Sequence, residues 1–142
     1  MNLYTIGFTK KTAEQFFETL KNNGIKKLID IRLNNKSQLA GFTKSENLKY
    51  FLHKLYGIEY SYMKEFAPTK QILNDYKKKK INWDNYTQQY NELLKKRNIE
   101  ITPEFFKDAC LLCSEDEADK CHRRLAAEYI AGKVRGIKII HL

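Results

Sequence analysis

The amino-acid sequence predicts a single α/β domain over residues 1–142: a mainly parallel five-stranded sheet with helices on both faces. Short runs of β-forming residues alternate along the chain with longer segments whose apolar residues recur at helical spacing. Parallel strands need long crossover connections, so this alternation favours a parallel sheet covered by helices. The chain has 142 residues, which is about the length of one domain.

Local sequence signals place the elements of the first half. Thr12 with Gln15, and Thr43 with Glu46, have the spacing of a capping box, which predicts a helix start at each place. A polar loop is expected at residues 32–41. The apolar stripe of the second helix is expected to consist of Leu48, Phe51, Leu52 and Leu55. The five strands are expected at residues 3–6, 28–31, 58–63, 109–113 and 137–142.

The second half of the chain is predicted to be mostly helical. One helix is expected at residues 69–80, and Pro103 directly after a threonine predicts another helix start. The fourth strand is continuously apolar, which is typical of a strand buried on both faces. A last helix is expected at residues 122–131, closed by Gly132. Between these lies a helix whose predicted core stripe is Trp83, Tyr86, Tyr90, Leu93 and Leu94.

The chain is strongly basic. It has 26 Lys and Arg against 17 Asp and Glu, a net charge of +9, and a pI near 9.4. This balance is compatible with a polyanionic partner such as nucleic acid. The alternative is that lysine simply solvates the surface of a chain rich in Lys and Asn.

Several classes of protein are excluded by composition. Nine Tyr and eight Phe give the chain too much apolar surface for a disordered tail. No apolar run approaches the roughly 20 residues of a membrane span, so no membrane association is expected. The N-terminus lacks the pattern of a signal peptide, so we expect a cytoplasmic protein whose three cysteines are reduced.

Chemically capable side chains follow the predicted strands. In parallel sheets, ligands bind outside the carboxyl ends of the strands. The residues just past these ends are Gly7 with Phe8 and Thr9, Asp30 with Arg32, Lys64 with Glu65, and Cys113 with Glu115. The run Cys121-His122-Arg123-Arg124 then opens a helix, whose free N–H groups attract anions. Two arginines in a first helical turn oppose the preference of the dipole for acids, which favours a ligand-binding role for them.

One interpretation of this constellation is a nucleophilic thiol. Cys113 at a strand end, with His122 and Arg123 nearby in sequence, could have a depressed pKa. In cysteine phosphatases and sulfurtransferases the catalytic cysteine opens a tight anion-binding loop. Here Arg123 lies ten positions after Cys113 and two after Cys121, and neither spacing fits the phosphatase pattern. The alternative is that Cys113 is an inert strand residue like Cys110.

A second interpretation is a zinc site. Cys113, Cys121 and His122 supply three ligands, with His53 or His141 as a distant fourth. The spacing contains no pair of cysteines two residues apart and matches no closed structural-zinc pattern. We therefore expect no bound metal.

A third interpretation combines acid/base chemistry with anion recognition. Asp30 and Glu115 can divide the roles of acid and base if their environments differ. Arg32, Arg123 and Arg124 can hold phosphate or carboxylate through bidentate hydrogen bonds. The alternative is that Asp30 and Arg32 form an ion pair that only orders the loop.

A basic and aromatic patch provides a further candidate surface. The run 77–80 consists of four lysines and lies near Trp83, Tyr86 and Tyr90. Interleaved basic and aromatic residues can bind single-stranded nucleic acid by stacking. The helical spacing of the aromatic residues more often indicates core packing, so this patch is a secondary candidate.

The combined pattern resembles a known family, the domain of unknown function 488. The resemblance covers nearly the whole chain, and its most specific part is the last two of the four matching segments, in which Cys113 and Glu115 are followed by Cys121, His122 and Arg123. Those segments are residues 4–7, 30–32, 111–115 and 121–125. The chain departs from the family pattern at Phe8, where other members commonly have His, at residues 66–68, where many have a Gly-rich turn, and in the loop after Arg32, which here lacks proline.

The resemblance implies a compact α/β domain and a shared polar cluster, but no reaction, because the activity of the family is not established. The cluster comprises Gly7, Asp30, Arg32, Cys113, Glu115, Cys121, His122 and Arg123.

From the residues we expect an enzyme acting on a phosphate-bearing substrate, a nucleotide or nucleic acid. Arg32, Arg123 and Arg124 would hold the anion, with Gly7, Thr9 and Cys121 also in the binding site. Asp30 or Glu115 would be the general acid or base, with His122 as an alternative proton carrier. A non-catalytic nucleic-acid-binding module and a thiol-dependent enzyme using Cys113 are the alternatives. No cofactor is expected, because the chain has no phosphate loop or dinucleotide fingerprint.

Overall fold

A computed structural model describes residues 1–36 and 41–142 of the chain. Within these residues the chain forms a five-stranded, entirely parallel sheet with helices on both faces, which confirms the predicted fold class. Residues 37–40, part of the predicted loop 32–41, lie outside the described residues. The strands are β1 Asn2–Gly7, β2 Lys27–Asp30, β3 Glu59–Tyr62, β4 Ala109–Cys113 and β5 Lys138–His141.

The strand order places the polar strand ends side by side. The order across the sheet is β3-β2-β4-β1-β5, so β4 lies between β2 and β1. Gly7 pairs with Cys113, and Asp30 pairs with Leu112. Because all strands run in one direction, three chain segments that are distant in sequence end at the same edge of the sheet.

Helices connect the strands. The α-helices are α1 Ala13–Asn22, α2 Ser45–Phe51, α3 Lys70–Lys77, α4 Trp83–Arg97, α5 Pro103–Phe106 and α6 His122–Lys133. Helix α2 continues as a π-helical turn, Leu52–Tyr56, and two short 3₁₀ turns cover Gly41–Thr43 and Lys64–Phe66.

Two apolar cores lie on the two faces of the sheet. On one face Leu111 packs with residues of α4 and α6, such as Tyr90 and Ile130. On the other face Cys110 and Leu112 pack with residues of α1 and α2. Successive strand residues point to opposite faces, so the fully buried β4 serves both cores. A rigid central strand therefore carries Cys113 at its end.

The helix starts follow the sequence in one case and depart from it in another. The capping box of Thr12 and Gln15 is present as predicted. The box predicted for Thr43 and Glu46 is wrong, because Thr43 is buried in a 3₁₀ turn and Lys44 precedes the helix without a side-chain cap.

Two smaller predictions also need correction. Leu55 is 66% exposed rather than part of the core, because the wider π turn at the end of α2 changes the face on which it lies. Helix α6 does not stop before Gly132 but continues through it to Lys133.

No helix within residues 1–36 and 41–142 is long and apolar enough to cross a membrane.

Candidate functional site

A pocket of about 1060 Å³ opens at the carboxyl edge of the sheet, beside the ends of β2 and β4. Its lining has a buried part and an exposed part, which we call the buried wall and the lysine rim. The buried wall consists of Phe8, Arg32, Pro68, Tyr86, Cys113, Cys121 and His122. The lysine rim consists of Lys77, Lys79, Lys80 and Lys120.

Three residues of the buried wall form a compact thiol cluster: Cys113, Cys121 and His122. The Sγ atoms of the two cysteines are 2.7 Å apart, and Nδ1 of His122 lies 3.4 Å from Sγ of Cys113. Cys113 ends β4, whereas Cys121 and His122 begin α6, so the fold of the intervening loop brings them together. All three side chains are less than 10% exposed.

A backbone contact orients the histidine ring. Nε2 of His122 lies 2.8 Å from the carbonyl oxygen of Ile31. A carbonyl oxygen can only accept, so Nε2 carries a proton and donates it. Nδ1 therefore faces Cys113, where it accepts from the thiol or, once protonated, donates to the thiolate.

The cluster favours a thiolate at Cys113. Burial by itself would raise the pKa of this thiol, but the hydrogen bond from Cys121 and the charge of His122 outweigh it and hold the pKa well below the usual value. Burial likewise opposes charge on His122, yet attraction to the Cys113 thiolate raises its pKa. The two shifts support each other, because each charged partner stabilises the other.

The other two cysteines are held as thiols. Burial raises the pKa of Cys121, and the neighbouring Cys113 thiolate, to which Cys121 donates, raises it further. Burial also raises the pKa of Cys110, which points into the opposite core. The three cysteines are therefore electrostatically distinct, although all are free and buried.

The thiol cluster also presents three donor atoms of a type that binds soft metal ions. One ligand atom from each of Cys113, Cys121 and His122 lies within 4.8 Å of the other two. Two thiolates on one tetrahedral zinc ion, at Zn–S distances of about 2.3 Å, stand roughly 3.8 Å apart. The 2.7 Å between the sulfur atoms is much shorter, so the arrangement does not match a zinc centre without rearrangement.

Asp30 and Arg32 form a buried ion pair at the end of β2. Arg32 donates from Nε and Nη2 to the two carboxylate oxygens of Asp30, at 2.9 and 2.8 Å. The Tyr60 hydroxyl donates to the same carboxylate at 2.6 Å. Asp30 is fully buried and is not among the described residues that line the pocket. This position favours an ion pair that orders the loop over a role as general acid or base.

One nitrogen of Arg32 is left over from this pair. Nη2 also donates to the carbonyl oxygen of Thr43 at 2.6 Å, and the guanidinium carbon lies 5.4 Å from the centre of the Phe8 ring. Nη1 has no hydrogen-bond partner within the described residues, although Arg32 is only 3% exposed. A buried donor without a partner is costly, and Arg32 lines the pocket. This nitrogen is therefore placed to bind an anion there.

Arg123, predicted to hold a ligand, makes its hydrogen bonds within the chain. Its Nε donates to Thr5 Oγ1, and its two terminal nitrogens donate to the carbonyl oxygens of Glu115 and Asp116. All three nitrogens are used, and Arg123 is not among the described residues that line the pocket. Arg123 thus fixes the loop between β4 and α6.

Gly7 and Thr9 hold the same loop. The backbone N–H and the hydroxyl of Thr9 both donate to the carbonyl oxygen of Ser114. A Cβ on Gly7 would overlap the carbonyl group of Glu115, so the close approach of these segments requires glycine. These two residues, predicted as ligand contacts, act on the site through the loop that follows Cys113.

The last two predicted residues lie further out. The side chain of Glu115 is exposed and lines the pocket. Arg124 pairs with Asp119 and Glu128 at the surface and is not among the described residues of the pocket lining.

The aromatic and basic side of the pocket contributes more to the site than its sequence pattern indicates. The aromatic stripe packs in the core as its spacing predicts, and Trp83, Tyr86 and three of the four lysines of the run 77–80 also line the pocket. The rings of Trp83 and Tyr86 stack with centres 4.9 Å apart, Tyr90 continues the stack, and the His122 ring meets Tyr90 edge-on. A run of lysines directly before an aromatic helix start was the available signal.

Comparison with known proteins gives one match. A family model for the domain of unknown function DUF488 matches residues 12–130, which include Asp30, Arg32 and the whole thiol cluster. No match was found among curated proteins or among solved structures. The match spans most of the chain and confirms the resemblance noted from the sequence motifs. The chain therefore belongs to the DUF488 family.

Proposed function

We propose that this protein is a thiol-dependent enzyme in which Cys113 attacks a phosphate-bearing substrate of the nucleotide class. The observation that carries the proposal is the contact between Cys113 and His122 in a pocket that also contains an unpartnered, buried guanidinium nitrogen. Nucleophile, proton donor and anion-binding group are thus present in one cavity.

The chemistry follows from the protonation states of the pair. Sγ of Cys113 forms a bond to an electrophilic atom of the substrate, and the bond from that atom to its leaving group breaks. The leaving group departs with the electron pair and takes a proton from the His122 imidazolium. The contact of Nε2 with the Ile31 carbonyl keeps the ring in position for this transfer.

A thiol is a better candidate for the nucleophile or base than either carboxylate. The Asp30 carboxylate accepts from Arg32 and Tyr60 in a fully buried position. The Glu115 side chain is exposed, where water would lower the strength of any electrostatic contribution. Cys113 has a catalytic partner and is in the pocket lining.

The pocket lining supports an anionic substrate with a planar group. Nη1 of Arg32 and the lysine rim provide positive charge, which attracts phosphate. Phe8, Trp83 and Tyr86 provide aromatic surface, against which a base can stack. A nucleotide combines both features.

Alkylation with ligand protection tests this proposal. The protein is treated with iodoacetamide at neutral pH, with and without adenosine 5′-monophosphate, and the modified cysteine is identified by peptide mass spectrometry. We expect fast modification of Cys113, slowed by the nucleotide, and no modification of Cys110. Cys113 reactivity no greater than that of a free cysteine would contradict the proposal, and unprotected fast modification would exclude the nucleotide class.

A second candidate function is binding of single-stranded nucleic acid without turnover. The observation that favours it is the position of the lysine rim beside the partly exposed Trp83 ring. Salt-dependent binding of an oligonucleotide that persists in Cys113→Ser, together with no turnover in the unmodified protein, would favour this candidate over the enzyme.

A further inference from the structure

The two cysteines of the pocket are closer together than the proposed nucleophilic role of Cys113 requires. Their Sγ atoms are 2.7 Å apart, and a disulfide bond is about 2.05 Å long. Both side chains belong to the buried wall and face the same cavity. Bond formation between them would shorten this distance by about 0.65 Å.

The surroundings of Cys121 differ from those of an inert core cysteine. Cys121 directly precedes α6, and the backbone N–H of Arg123 in the first turn stabilises the charged form of its sulfur. Its proton is directed at Cys113. When Cys113 carries a substituent and no charge, its contribution to the raised pKa of Cys121 disappears while that of burial remains, and the nearby His122 can accept the proton.

We propose that Cys121 is the resolving thiol of Cys113, and that the pocket reduces a disulfide of an anionic substrate. This inference rests on the proposed function, in which Cys113 is the nucleophile. It adds the chemical class of the electrophile, a sulfur atom, and a catalytic role for a second residue.

The reaction balances as two successive thiol–disulfide exchanges. In the first, Cys113 Sγ attacks one sulfur of the substrate disulfide, a mixed disulfide forms, and the other half leaves as a thiolate that takes a proton from His122. In the second, Cys121 loses its proton to His122 and attacks Sγ of Cys113. The Cys113–Cys121 disulfide forms, and the second half of the substrate leaves as a thiolate, which is protonated in turn. Two protein thiols are oxidised as one substrate disulfide is reduced, and an external dithiol restores them.

The charge of the pocket selects among disulfides. Arg32 Nη1 and the lysine rim favour a substrate with carboxylate or phosphate groups close to the reacting sulfur atoms. The aromatic lining favours one with a planar group. A neutral disulfide of similar size would gain nothing from the charges.

The test uses an aromatic disulfide that carries carboxylates, 5,5′-dithiobis(2-nitrobenzoate), in excess over the full-length protein at neutral pH. The coloured thiolate that is released is counted, and the protein mass is measured. The unmodified protein is expected to release two thiolates per chain at the site, keep no adduct there, and lose two hydrogen atoms by forming the disulfide. Cys121→Ser is expected to release one thiolate and retain one adduct on Cys113.

Matched variants and a matched probe complete the experiment. Cys110→Ala removes the cysteine outside the pocket and should leave the result unchanged. For each probe, the rate with the protein is divided by the rate with a free thiol. This ratio should be smaller for the neutral 2,2′-dithiodipyridine than for the carboxylate probe, and added salt should bring the two ratios closer together. Peptide mapping identifies the linked cysteines.

The outcomes separate this inference from the proposed function. A stable adduct on Cys113 in the unmodified protein, with no Cys113–Cys121 disulfide, would overturn the resolving role while leaving the nucleophile in place. A slow reaction that is the same in Cys113→Ser would overturn both. One equivalent of Zn²⁺ could also protect both sulfur atoms from the disulfide probe. If an excess of chelator failed to reverse this protection, the cluster would be assigned to metal binding and the inference would be overturned.

Discussion

Two polar clusters lie at the ends of adjacent strands in this protein, and they have opposite properties. At the end of β2, the Asp30 carboxylate accepts from Arg32 and from Tyr60 in a fully buried position. At the end of β4, the thiol cluster places the Cys113 and Cys121 sulfur atoms and the His122 ring in contact with an open pocket. Asp30 and Leu112 are paired residues, so the two clusters are close neighbours.

The comparison shows how hydrogen-bond saturation separates groups that stabilise the fold from groups that are available for a reaction. A carboxylate whose lone pairs are all occupied by buried donors contributes to stability and order. The Cys113 thiolate lies between two groups that can each lose a proton, Cys121 and His122. It can therefore form or break a covalent bond at little energetic cost. Arg32 belongs to both regions, because it pairs with Asp30 and leaves one nitrogen for the pocket.

The largest expected effect concerns the nucleophile. We expect Cys113→Ser to lower the rate of modification by iodoacetamide at neutral pH by about 100-fold, since burial is the largest cause that raises the pKa of Cys110 and Cys121 and it remains in this variant. Cys110→Ala should react like the unmodified protein. Fast modification of Cys121 or Cys110 in the Cys113 variant would contradict the prediction, because it would show that the cysteines do not differ in reactivity.

The next effect concerns the saturated cluster. Asp30→Asn leaves the Arg32 charge buried without its partner, and we expect the free energy of unfolding to fall by about 3 to 5 kcal/mol. Asp116→Asn provides the control, because the Asp116 side chain is 37% exposed in its pair with Lys11 and such pairs contribute about 0 to 1 kcal/mol. Urea denaturation measures both. A loss of under about 1 kcal/mol in Asp30→Asn would show that this pair is not structural.

The third prediction concerns pH. The pKa of Cys113 is lowered, so the reactive thiolate is present above that pKa, and the modification rate is lost only as the pH falls through it. His122→Asn removes the positive charge, so the pKa of Cys113 should rise and the decline in rate should begin at a higher pH. If the pKa rises by about one, the rate at a fixed pH below it should fall about tenfold.

The control for this pH profile is His141→Asn. His141 contacts Thr5 on the neighbouring strand and is not among the described pocket residues. Its substitution should leave the profile unchanged. An unchanged profile in His122→Asn would mean that the imidazolium does not lower the pKa of Cys113.

The smallest effect concerns the lysine rim. The double variant Lys77→Ala/Lys80→Ala should slow the reaction with the carboxylate disulfide by several-fold at low salt and very little at high salt, because exposed charges are screened. Lys21→Ala/Lys49→Ala removes the same charge from α1 and α2 and should change the rate less. If the two double variants slowed the reaction equally, the rate would depend on the net charge of the protein and not on the lysine rim.

Much of the architecture could be predicted because it depends on local pattern. The continuous apolar run of residues 109–113 identified the central strand, and Thr12 with Gln15 identified the start of α1. Parallel pairing followed from the length of the connections. The helix cap predicted at Thr43 is wrong. The sequence around Thr43 fits a capping box, but the residue lies in a buried turn and its carbonyl oxygen accepts a hydrogen bond from Arg32.

The candidate site was predictable in location and not in the roles of its residues. The chemistry-bearing residues at the strand ends were identified, and Cys113, Cys121, His122 and Arg32 do line one pocket. Arg123 was expected to bind a ligand and instead binds the loop carbonyls. Charge and residue type are the same for both roles, so only the position of the partner distinguishes them.

The sequence by itself determined the α/β class, the order of the elements and the presence of reactive residue types at the strand ends. These features arise from periodicity, capping and chain connectivity, which act over a few residues. Tertiary structure alone decided that Cys121 contacts Cys113, that Asp30 is saturated, and that the lysine run and Trp83 border the pocket. Hydrogen-bond saturation, burial and pKa depend on groups contributed by distant segments, and their distances exist only once the sheet has brought those segments to one edge.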